Sequence, residues 1–318
     1  MTDIPPFFIV GSGRSGTTLL RLILSGHSRL HIPPETWYVM PLAEQLPLTG
    51  MLTPQQVAQA AEIMTSSRRW VDLGIDAAEF RAQAAALPQP ALTDLLNLVY
   101  GHHLRLAGKP RFGDKTPVYI GILPQLDALY PSARYIHLIR DGRDVAISFT
   151  DVQWGFSFSR EFEWPTAMRL ARQYRASALA PRILEVRYED LVRDTEGTVR
   201  RICDFLGEAF EPAMLDWQRQ IDMVPAQERH IHRKLERPIS QDAIGVWQRK
   251  LSALECFVIE ASLQRDLRRQ GYALRFAHPL WRPLLAATGA VLHALSPLLD
   301  RAVPFLQHRG LLPKTLYL

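Results

Sequence analysis

The chain has 318 residues, 47% of them hydrophobic, enough to bury one large core. Its formal net charge of +5 suits an anionic ligand, but acidic residues interrupt the basic ones, so nucleic acid is not predicted as a partner. The two cysteines, Cys203 and Cys256, indicate neither a disulfide framework nor a cysteine metal site. With no secretion signal evident at the N-terminus, these features predict a cytoplasmic protein.

A glycine-rich turn between a strand and a helix is the first motif. The apolar run Phe7 to Val10 predicts a buried strand, and the sequence GSGRSGTT follows at residues 11–18 before an apolar-periodic helix. Such a turn holds a phosphate against a helix N-terminus. Its spacing fits the nucleotide-binding P-loop, but Thr17 replaces the lysine of that pattern and Arg14 supplies the positive charge. We therefore expect a nucleotide-like ligand other than ordinary ATP.

A second basic turn follows another predicted strand. Residues Arg134 to Ile139 predict a buried strand, and the stretch beginning RDGRD at Arg140 opens a helix that contains Ser148. In an open parallel α/β sheet, ligands bind outside the carboxyl ends of the strands. The two basic turns are therefore expected to face one crevice, where Arg140 and Ser148 converge on a second phosphate.

Together, these motifs resemble the two signature elements of sulfotransferases that use 3′-phosphoadenosine-5′-phosphosulfate (PAPS). The resemblance continues through Lys115 in FGDKTP, through VRYEDL at residues 186–191 and through IGVW at residues 244–247. It implies a three-layer α/β/α fold with a central parallel sheet, similar to that of P-loop NTPases. It also implies transfer of a sulfuryl group from PAPS to an acceptor hydroxyl, with adenosine 3′,5′-bisphosphate (PAP) as the product.

The resemblance implies a role for each matching residue. The first loop would bind the 5′-phosphosulfate, and the second turn would bind the 3′-phosphate. Residues 245 and 247 would shape the loop beside the nucleotide, although Trp247 is equally well explained as a core residue. The predicted donor-binding residues are Gly13, Arg14, Ser15, Gly16, Thr17, Thr18, Arg140, Ser148, Gly245 and Trp247.

Catalysis is expected to depend on Glu35, Lys115 and Arg14. Glu35 lies in IPPETW just after the first helix, where the tyrosylprotein-type branch of the family has a glutamate that resembles a general base. We expect burial to raise its pKa, with Trp37 and Tyr38 excluding water. Lys115, placed by the sequence in a polar turn, and Arg14 would stabilise charge on the transferred group, so no metal is predicted. The cytosolic branch instead has a histidine base and a loop lysine.

The regions around these motifs read as helices. Amphipathic patterns over Pro54 to Thr65, Asp76 to Leu87 and Ala91 to Leu106 predict a helical insertion, about residues 54–106, within a sulfotransferase domain of residues 1–275. Residues 276–318 form an apolar C-terminal extension that prolines are expected to break. The apolar run is too interrupted to span a membrane, which favours a docked or membrane-surface helix. Packing on the core, a dimer contact and a lid over the acceptor site remain open.

Two other functions remain open on the sequence alone. One is a P-loop kinase of a small metabolite, which would need magnesium and a lysine from elsewhere. The other is a non-catalytic adaptor that binds a nucleotide or a lipid. The segment His230-Ile231-His232 has no accompanying ligand set and is expected to be solvated. No motif identifies the acceptor, which the sequence leaves open between a carbohydrate, a peptide, a lipid and a small molecule.

Overall fold

A five-stranded parallel sheet organises the computed structural model, which describes residues 4–151 and 163–308. The strand order is β2-β3-β1-β4-β5, so the two strands that precede the basic turns, β1 and β4, are neighbours. The strands are β1 (Phe7–Gly11), β2 (Leu30–His31), β3 (Arg111–Lys115), β4 (Arg134–Ile139) and β5 (Ile183–Arg187). The predicted α/β fold with a central parallel sheet is confirmed.

Helices cover both faces of this sheet. The α-helices in the described residues are α1 (Thr17–Ser25), α2 (Val39–Gln45), α3 (Pro54–Thr65), α4 (Ala77–Ala85), α5 (Leu92–Ala107), α6 (Leu123–Leu129), α7 (Gly142–Asp151), α8 (Glu163–Arg175), α9 (Tyr188–Arg193), α10 (Thr195–Leu206), α11 (Trp247–Lys250), α12 (Ala253–Arg269) and α13 (Arg282–His308). Short 3-10 helices connect several of them.

The side chains of β1 alternate between two hydrophobic cores. Phe8 and Val10 pack with the helical insertion and α12, whereas Phe7 and Ile9 pack with α1 and α10. All four side chains are buried, as expected for a central parallel strand with helices on both faces. The result is the three-layer arrangement that the sequence predicts.

The predicted insertion is present as α3, α4 and α5. The bounds of α3 match the prediction, because Thr53 forms a capping box with Gln56 and a proline occupies the first turn. Helix α4 is shorter than predicted and ends at Ala85. The rings of Trp70 and Phe80, 4.8 Å apart, help to bury this insertion against the rest of the core.

The structure corrects the local setting of Lys115. The sequence predicts a polar turn there, but Lys115 is the last residue of β3 and pairs with Ile9 of β1. Gly113 lies within this strand, and the ring of Phe7 fills the space beside that glycine. Lys115 is consequently a buried strand residue, 2% exposed, at the sheet edge where the first loop begins.

The C-terminal extension also differs from its prediction. A single helix, α13, continues past Pro297 and Pro304, since a proline removes one backbone donor without necessarily ending a helix. Its buried side includes Leu285, and Gly289 lies directly against the backbone of Ala261 in α12. Among the described helices, none combines the length and the apolar character needed to cross a bilayer. Residues 309–318 of the predicted extension lie outside the described residues.

The contact between Gly113 and Phe7 gives a test of the sheet packing. In Gly113→Ala, the new methyl group would overlap the Phe7 ring, so we expect the free energy of unfolding to fall by about 1–3 kcal/mol. Gly121→Ala is the matched control, because no atom lies within 4 Å of its added Cβ. Urea unfolding measures both variants. Equal stabilities would contradict the packing of β1 against β3.

Candidate active site

The glycine-rich loop forms a backbone cradle between β1 and α1. Between β1 and α1, Arg14 and Gly16 have positive φ, at 62° and 94°. Gly16 is required here for a second reason, because a Cβ would overlap the Tyr188 ring. Within the described residues, no side chain caps the N-terminus of α1. Its first backbone N–H groups are therefore suited to bind an anion.

Arg140 and Arg14 meet at the ends of β4 and β1. Arg140 is 6% exposed, and its Nη1 donates to the Arg14 carbonyl at 3.1 Å while Nη2 donates to the Ala243 carbonyl at 2.8 Å. Its guanidinium also lies 4.6 Å from the centre of the Tyr188 ring. The Arg14 side chain donates from Nε to Ser148 Oγ at 3.2 Å. The two basic turns thus share one crevice, and Ser148 contacts Arg14.

Two buried donors at this crevice favour a bound anion. The Ser15 hydroxyl and Arg140 Nε are buried, and neither has a hydrogen-bond partner within residues 4–151 and 163–308. Leaving such donors without acceptors costs free energy, which a phosphate oxygen would recover. The residues present therefore fit a phosphate-bearing ligand at the places where the sequence predicts one.

Glu35 and Lys115 form an ion pair beside the cradle. Lys115 Nζ contacts Glu35 Oε1 and donates to Thr18 Oγ1 at 3.3 Å, so it links the predicted base to the first turn of α1. The other carboxylate oxygen of Glu35 accepts from Trp37 Nε1 and lies 3.6 Å from Arg69 Nη2. A carboxylate and an ammonium group thus lie together at the edge of the predicted phosphate site.

The expected rise in the pKa of Glu35 is wrong. Burial does act to raise it, but the charge and hydrogen bond of Lys115, the hydrogen bond from Trp37 and the charge of Arg69 outweigh burial and lower the pKa. Trp37 is 48% exposed and donates to the carboxylate, while Tyr38 is buried in the hydrophobic core. Neither acts as the predicted apolar screen, and Glu35 is a carboxylate at neutral pH.

Gly245 and Trp247 lie beside the second turn through Asp144. The Asp144 carboxylate accepts from the Gly245 N–H at 2.8 Å and from the Trp247 N–H at 2.9 Å. The Trp247 ring packs 3.6 Å from the guanidinium carbon of Arg143 and is 7% exposed. Asp144 therefore holds residues 243–247 next to Arg140. The donor-binding roles of Gly245 and Trp247 remain predictions.

The segment around His232 is not solvated as predicted. The Ile231 carbonyl accepts from Arg14 Nη2 at 2.9 Å, and His232 is half-buried. Burial together with the nearby charges of Arg14 and Lys115 lowers the pKa of His232 to about 3. Of the three residues 230–232, His230 alone is exposed. Sequence reasoning missed this segment because its contact with Arg14 joins residues far apart in the chain.

Three further residues at the site also escaped prediction. Arg69 comes from the insertion and contacts Glu35, Tyr188 packs on Gly16 and Arg140, and Asp144 binds residues 245 and 247. Asp144 lies in the RDGRD segment and Tyr188 in the VRYEDL segment, and membership of these motifs is the feature of the sequence that could have identified them. Arg69 lies in no motif, so nothing in the sequence pointed to it.

Two cavities lie near the site, and one of them adjoins the Glu35 loop through Pro34. The larger, about 380 Å³, has Pro34, Arg21, His31 and His103 among its lining residues, and the smaller, about 150 Å³, includes His232. Val224 and Arg229 line both cavities, so the two cavities are neighbours. In the described part of the chain, no group of three or more His, Cys, Asp or Glu side chains is arranged to hold a metal ion.

Asp114 supports the Glu35 loop from within the core. It accepts hydrogen bonds from Thr36 Oγ1 and Tyr100 OH, both at 2.9 Å, and is fully buried in β3. Burial raises its pKa to about 6, even though hydrogen bonds to the carboxylate oppose the shift. The residue next to Glu35 is therefore anchored by a carboxyl group that titrates near neutrality.

The raised pKa of Asp114 predicts that its contribution to the free energy of unfolding decreases as pH rises. A carboxyl group with a raised native pKa contributes stability below its unfolded pKa and loses it as pH rises through about 6. The wild-type free energy of unfolding should therefore fall relative to Asp114→Asn by about 2 kcal/mol between pH 4 and 7. Urea unfolding across this range measures it, with the exposed Asp204→Asn as the charge-loss control. A difference independent of pH would contradict the shift.

Comparison with known proteins identifies relatives of this chain. The chain is 29% identical over 238 residues to the nodulation protein NoeE of Sinorhizobium fredii, covering 66% of the chain and 52% of that protein. It is 25% identical over 258 residues to protein-tyrosine sulfotransferase A of Caenorhabditis elegans, covering 76% and 61%. The chain thus spans between half and two thirds of the length of these two curated relatives.

Solved structures show the same fold. The sulfotransferase domain of the Synechococcus PCC 7002 olefin synthase is 27% identical, has a TM-score of 0.60 and covers 86% of this chain and 97% of its own. The sulfotransferase domain of the curacin biosynthetic pathway is 23% identical, with a TM-score of 0.61 and coverage of 86% and 100%. The sulfotransferase family model matches residues 5–212. The chain belongs to the sulfotransferase family.

Proposed function

We propose that this protein is a sulfotransferase that moves a sulfuryl group from PAPS to an acceptor hydroxyl. The observation that carries the proposal is the contact of Glu35 with Lys115, which also bonds Thr18 at the start of the phosphate cradle. A carboxylate base and a cation thus lie together where the transferred group of a cradle-bound donor would be. Membership of the sulfotransferase family supports the same reaction.

The proposed donor site extends across both basic turns. The backbone and side chains of residues 13–18 hold the 5′-phosphosulfate, and the buried donors Ser15 Oγ and Arg140 Nε gain acceptors when phosphates bind. Arg140 and Ser148 hold the 3′-phosphate, and Gly245 and Trp247 shape the neighbouring loop. Arg14 lies between the two sites, with its carbonyl bonded to Arg140 and its side chain to Ser148.

The chemistry proposed for the chain's residues is direct in-line transfer. Glu35 accepts the proton of the acceptor hydroxyl as the acceptor oxygen forms a bond to sulfur and the bond from sulfur to the 5′-phosphate oxygen breaks. Lys115 and Arg14 stabilise the negative charge that develops on the departing phosphate and the sulfuryl oxygens. The lowered pKa of Glu35 keeps it ionised, so it is ready to take a proton without first losing one.

The acceptor would enter by the larger cavity, which Pro34 lines next to Glu35. The smaller cavity, lined by His232, shares Val224 and Arg229 with it. The prediction of a metal-free reaction is part of this proposal. A cytoplasmic location, and contact of the C-terminal extension with a membrane surface or a second copy, likewise remain predictions.

The donor identity is tested first by ligand-dependent thermal stability. PAP should raise the melting temperature, whereas ATP with magnesium should not, because ligands stabilise the native state that binds them. Arg140→Gln should weaken PAP binding by about 10-fold to 100-fold, since it removes charge-assisted hydrogen bonds. The exposed Arg249→Gln, on α11, is the matched control. Stabilisation by ATP with magnesium and indifference to PAP would instead favour the kinase.

The role of Glu35 is tested by separating binding from turnover. In Glu35→Gln, PAP binding should persist while transfer of radiolabelled sulfate falls by about 100-fold or more. The reason is that an amide cannot take the proton from the hydroxyl group of the acceptor substrate. Glu44→Gln, an exposed exchange in the following helix, should leave transfer unchanged. Retained turnover in Glu35→Gln would remove Glu35 as the base. PAP binding without transfer to any acceptor in a broad screen would favour the adaptor.

A further inference from the structure

Arg69 brings a second cation to Glu35 from outside both nucleotide motifs. It lies between α3 and the 3-10 helix Trp70–Leu73, within the helical insertion. Its Nη2 lies 3.6 Å from Glu35 Oε2 and contacts Glu228 Oε1, while Nη1 bonds Asp72 Oδ2 at 3.1 Å. One guanidinium therefore joins three carboxylates from three separate segments.

These contacts link the insertion to the donor site. Glu228 belongs to the 3-10 helix Ala226–Ile231, and the carbonyl of Ile231 accepts from Arg14 Nη2 at 2.9 Å. The segment that carries Glu228 thus contacts Arg69 at one point and the arginine of the cradle at another. The Trp37 ring, 5.7 Å from the Arg69 guanidinium carbon, lies on the same side as Glu35 Oε2.

The two cations around Glu35 act on different oxygens. Lys115 contacts Oε1 and also bonds Thr18, so it is oriented toward the cradle. Arg69 lies beside Oε2, on the side of the insertion. The charged and titratable groups that interact with the Glu35 carboxylate are Lys115, Arg69, Arg21, Asp114 and His232. Glu228 and Asp72 act on it through Arg69.

We propose that Arg69 is a positioning residue for Glu35. Its guanidinium holds the carboxylate by Oε2, so that Oε1 stays directed at Lys115 and the cradle, and it sets how readily the carboxylate takes a proton. This inference rests on the proposed function, in which Glu35 is the base. It also gives the helical insertion a part in the reaction, because the base is fully oriented only when the insertion and the 226–231 segment pack around Arg69.

An arginine is suited to this task because its planar fork binds several carboxylates at once. Glu228 and Glu35 compete for the same Nη2. Removing Arg69 should therefore raise the pKa of Glu35, whereas removing the charge of Glu228 should lower it. Two substitutions in one cluster thus have opposite expected signs, which a loss of local packing cannot produce.

The direct test is the pKa of the Glu35 carboxyl, measured by ¹³C NMR in protein labelled at glutamate, with Glu35→Gln assigning the signal. Arg69→Gln should raise this pKa by on the order of one unit, Arg69→Lys should restore part of the shift, and Glu228→Gln should lower the pKa. Arg68→Gln, an exposed exchange next in the chain, is the control and should leave it unchanged. An unmoved pKa in both Arg69→Gln and Glu228→Gln would overturn the proposal.

Activity gives the second readout. In Arg69→Gln, the acid limb of the kcat/KM profile should move to higher pH, because a base with a raised pKa becomes protonated at higher pH. PAP affinity should stay within about twofold of wild type, since the groups that Arg69 contacts, Glu35, Asp72 and Glu228, are not among the residues proposed to bind the donor. An activity loss equal at every pH would show a merely structural role. If Arg69→Gln does not fold, Glu228→Gln and Arg69→Lys decide the matter.

The two levels of inference fail in different ways. If the wild-type protein transfers no sulfate, the proposed function fails, but the NMR titration still decides whether Arg69 sets the protonation of Glu35. If transfer occurs and depends on Glu35 while the titration is unaffected by Arg69, only the positioning role is rejected.

Discussion

The pairing of β1 with β4 is the constraint on which the site depends. Their parallel register places Gly11 opposite Leu138, so the glycine-rich loop and Arg140 leave the sheet side by side. The hydrogen bond from Arg140 Nη1 to the Arg14 carbonyl, 3.1 Å long, joins the two turns directly. Because both strands are buried between two helical layers, this relation is set by the core and not by flexible surface loops.

A neighbouring strand pairing fixes the positions of Lys115 and Glu35, the proposed catalytic groups. Strand β3 lies on the other side of β1 and ends at Lys115, which brings the ammonium group to Thr18 and Glu35. Asp114, one residue earlier, bonds Thr36 and so holds the loop that carries Glu35. Lys115 and Asp114, successive residues of β3, thus lie on opposite faces of the strand. Lys115 contacts the crevice, and Asp114 holds the Glu35 loop from the core.

Charge outweighs burial at Glu35. Desolvation alone would favour the protonated acid, but two nearby cations and an indole N–H favour the carboxylate. Asp114 shows the opposite balance, since its partners are neutral hydroxyl groups and burial raises its pKa to about 6. Both carboxyl groups are close to the same loop, so the opposite directions of their pKa shifts come from their bonding partners, which are cations at Glu35 and neutral hydroxyl groups at Asp114.

Local patterns in the sequence predicted the elements of the fold well. Strand β4 and helix α3 have the predicted bounds, because an apolar run and a capping box are signals contained within a few neighbouring residues. The family resemblance added the residues of the two basic turns. These parts of the site depend on residues close together in the chain, and a single sequence displays such patterns directly.

The predictions that were wrong concern residues whose contact partners are distant in the chain. The short, polar RFGDK run predicts a turn at Lys115, because nothing in the run indicates its pairing with β1. The sequence predicts a raised pKa for Glu35, because the contacts of Glu35 with Arg69 and Lys115 are not visible in a local pattern. The contact of Ile231 with Arg14, across more than two hundred residues, was missed for the same reason.

The most direct test of the account is an experimental structure of the protein with PAP. One PAP molecule should span the crevice, with its 5′-phosphate in the loop at residues 13–18 and its 3′-phosphate beside Arg140. The donors Ser15 Oγ and Arg140 Nε should then bond phosphate oxygens. A PAP molecule bound elsewhere, or with Arg14 and Arg140 in separate cavities, would contradict the account.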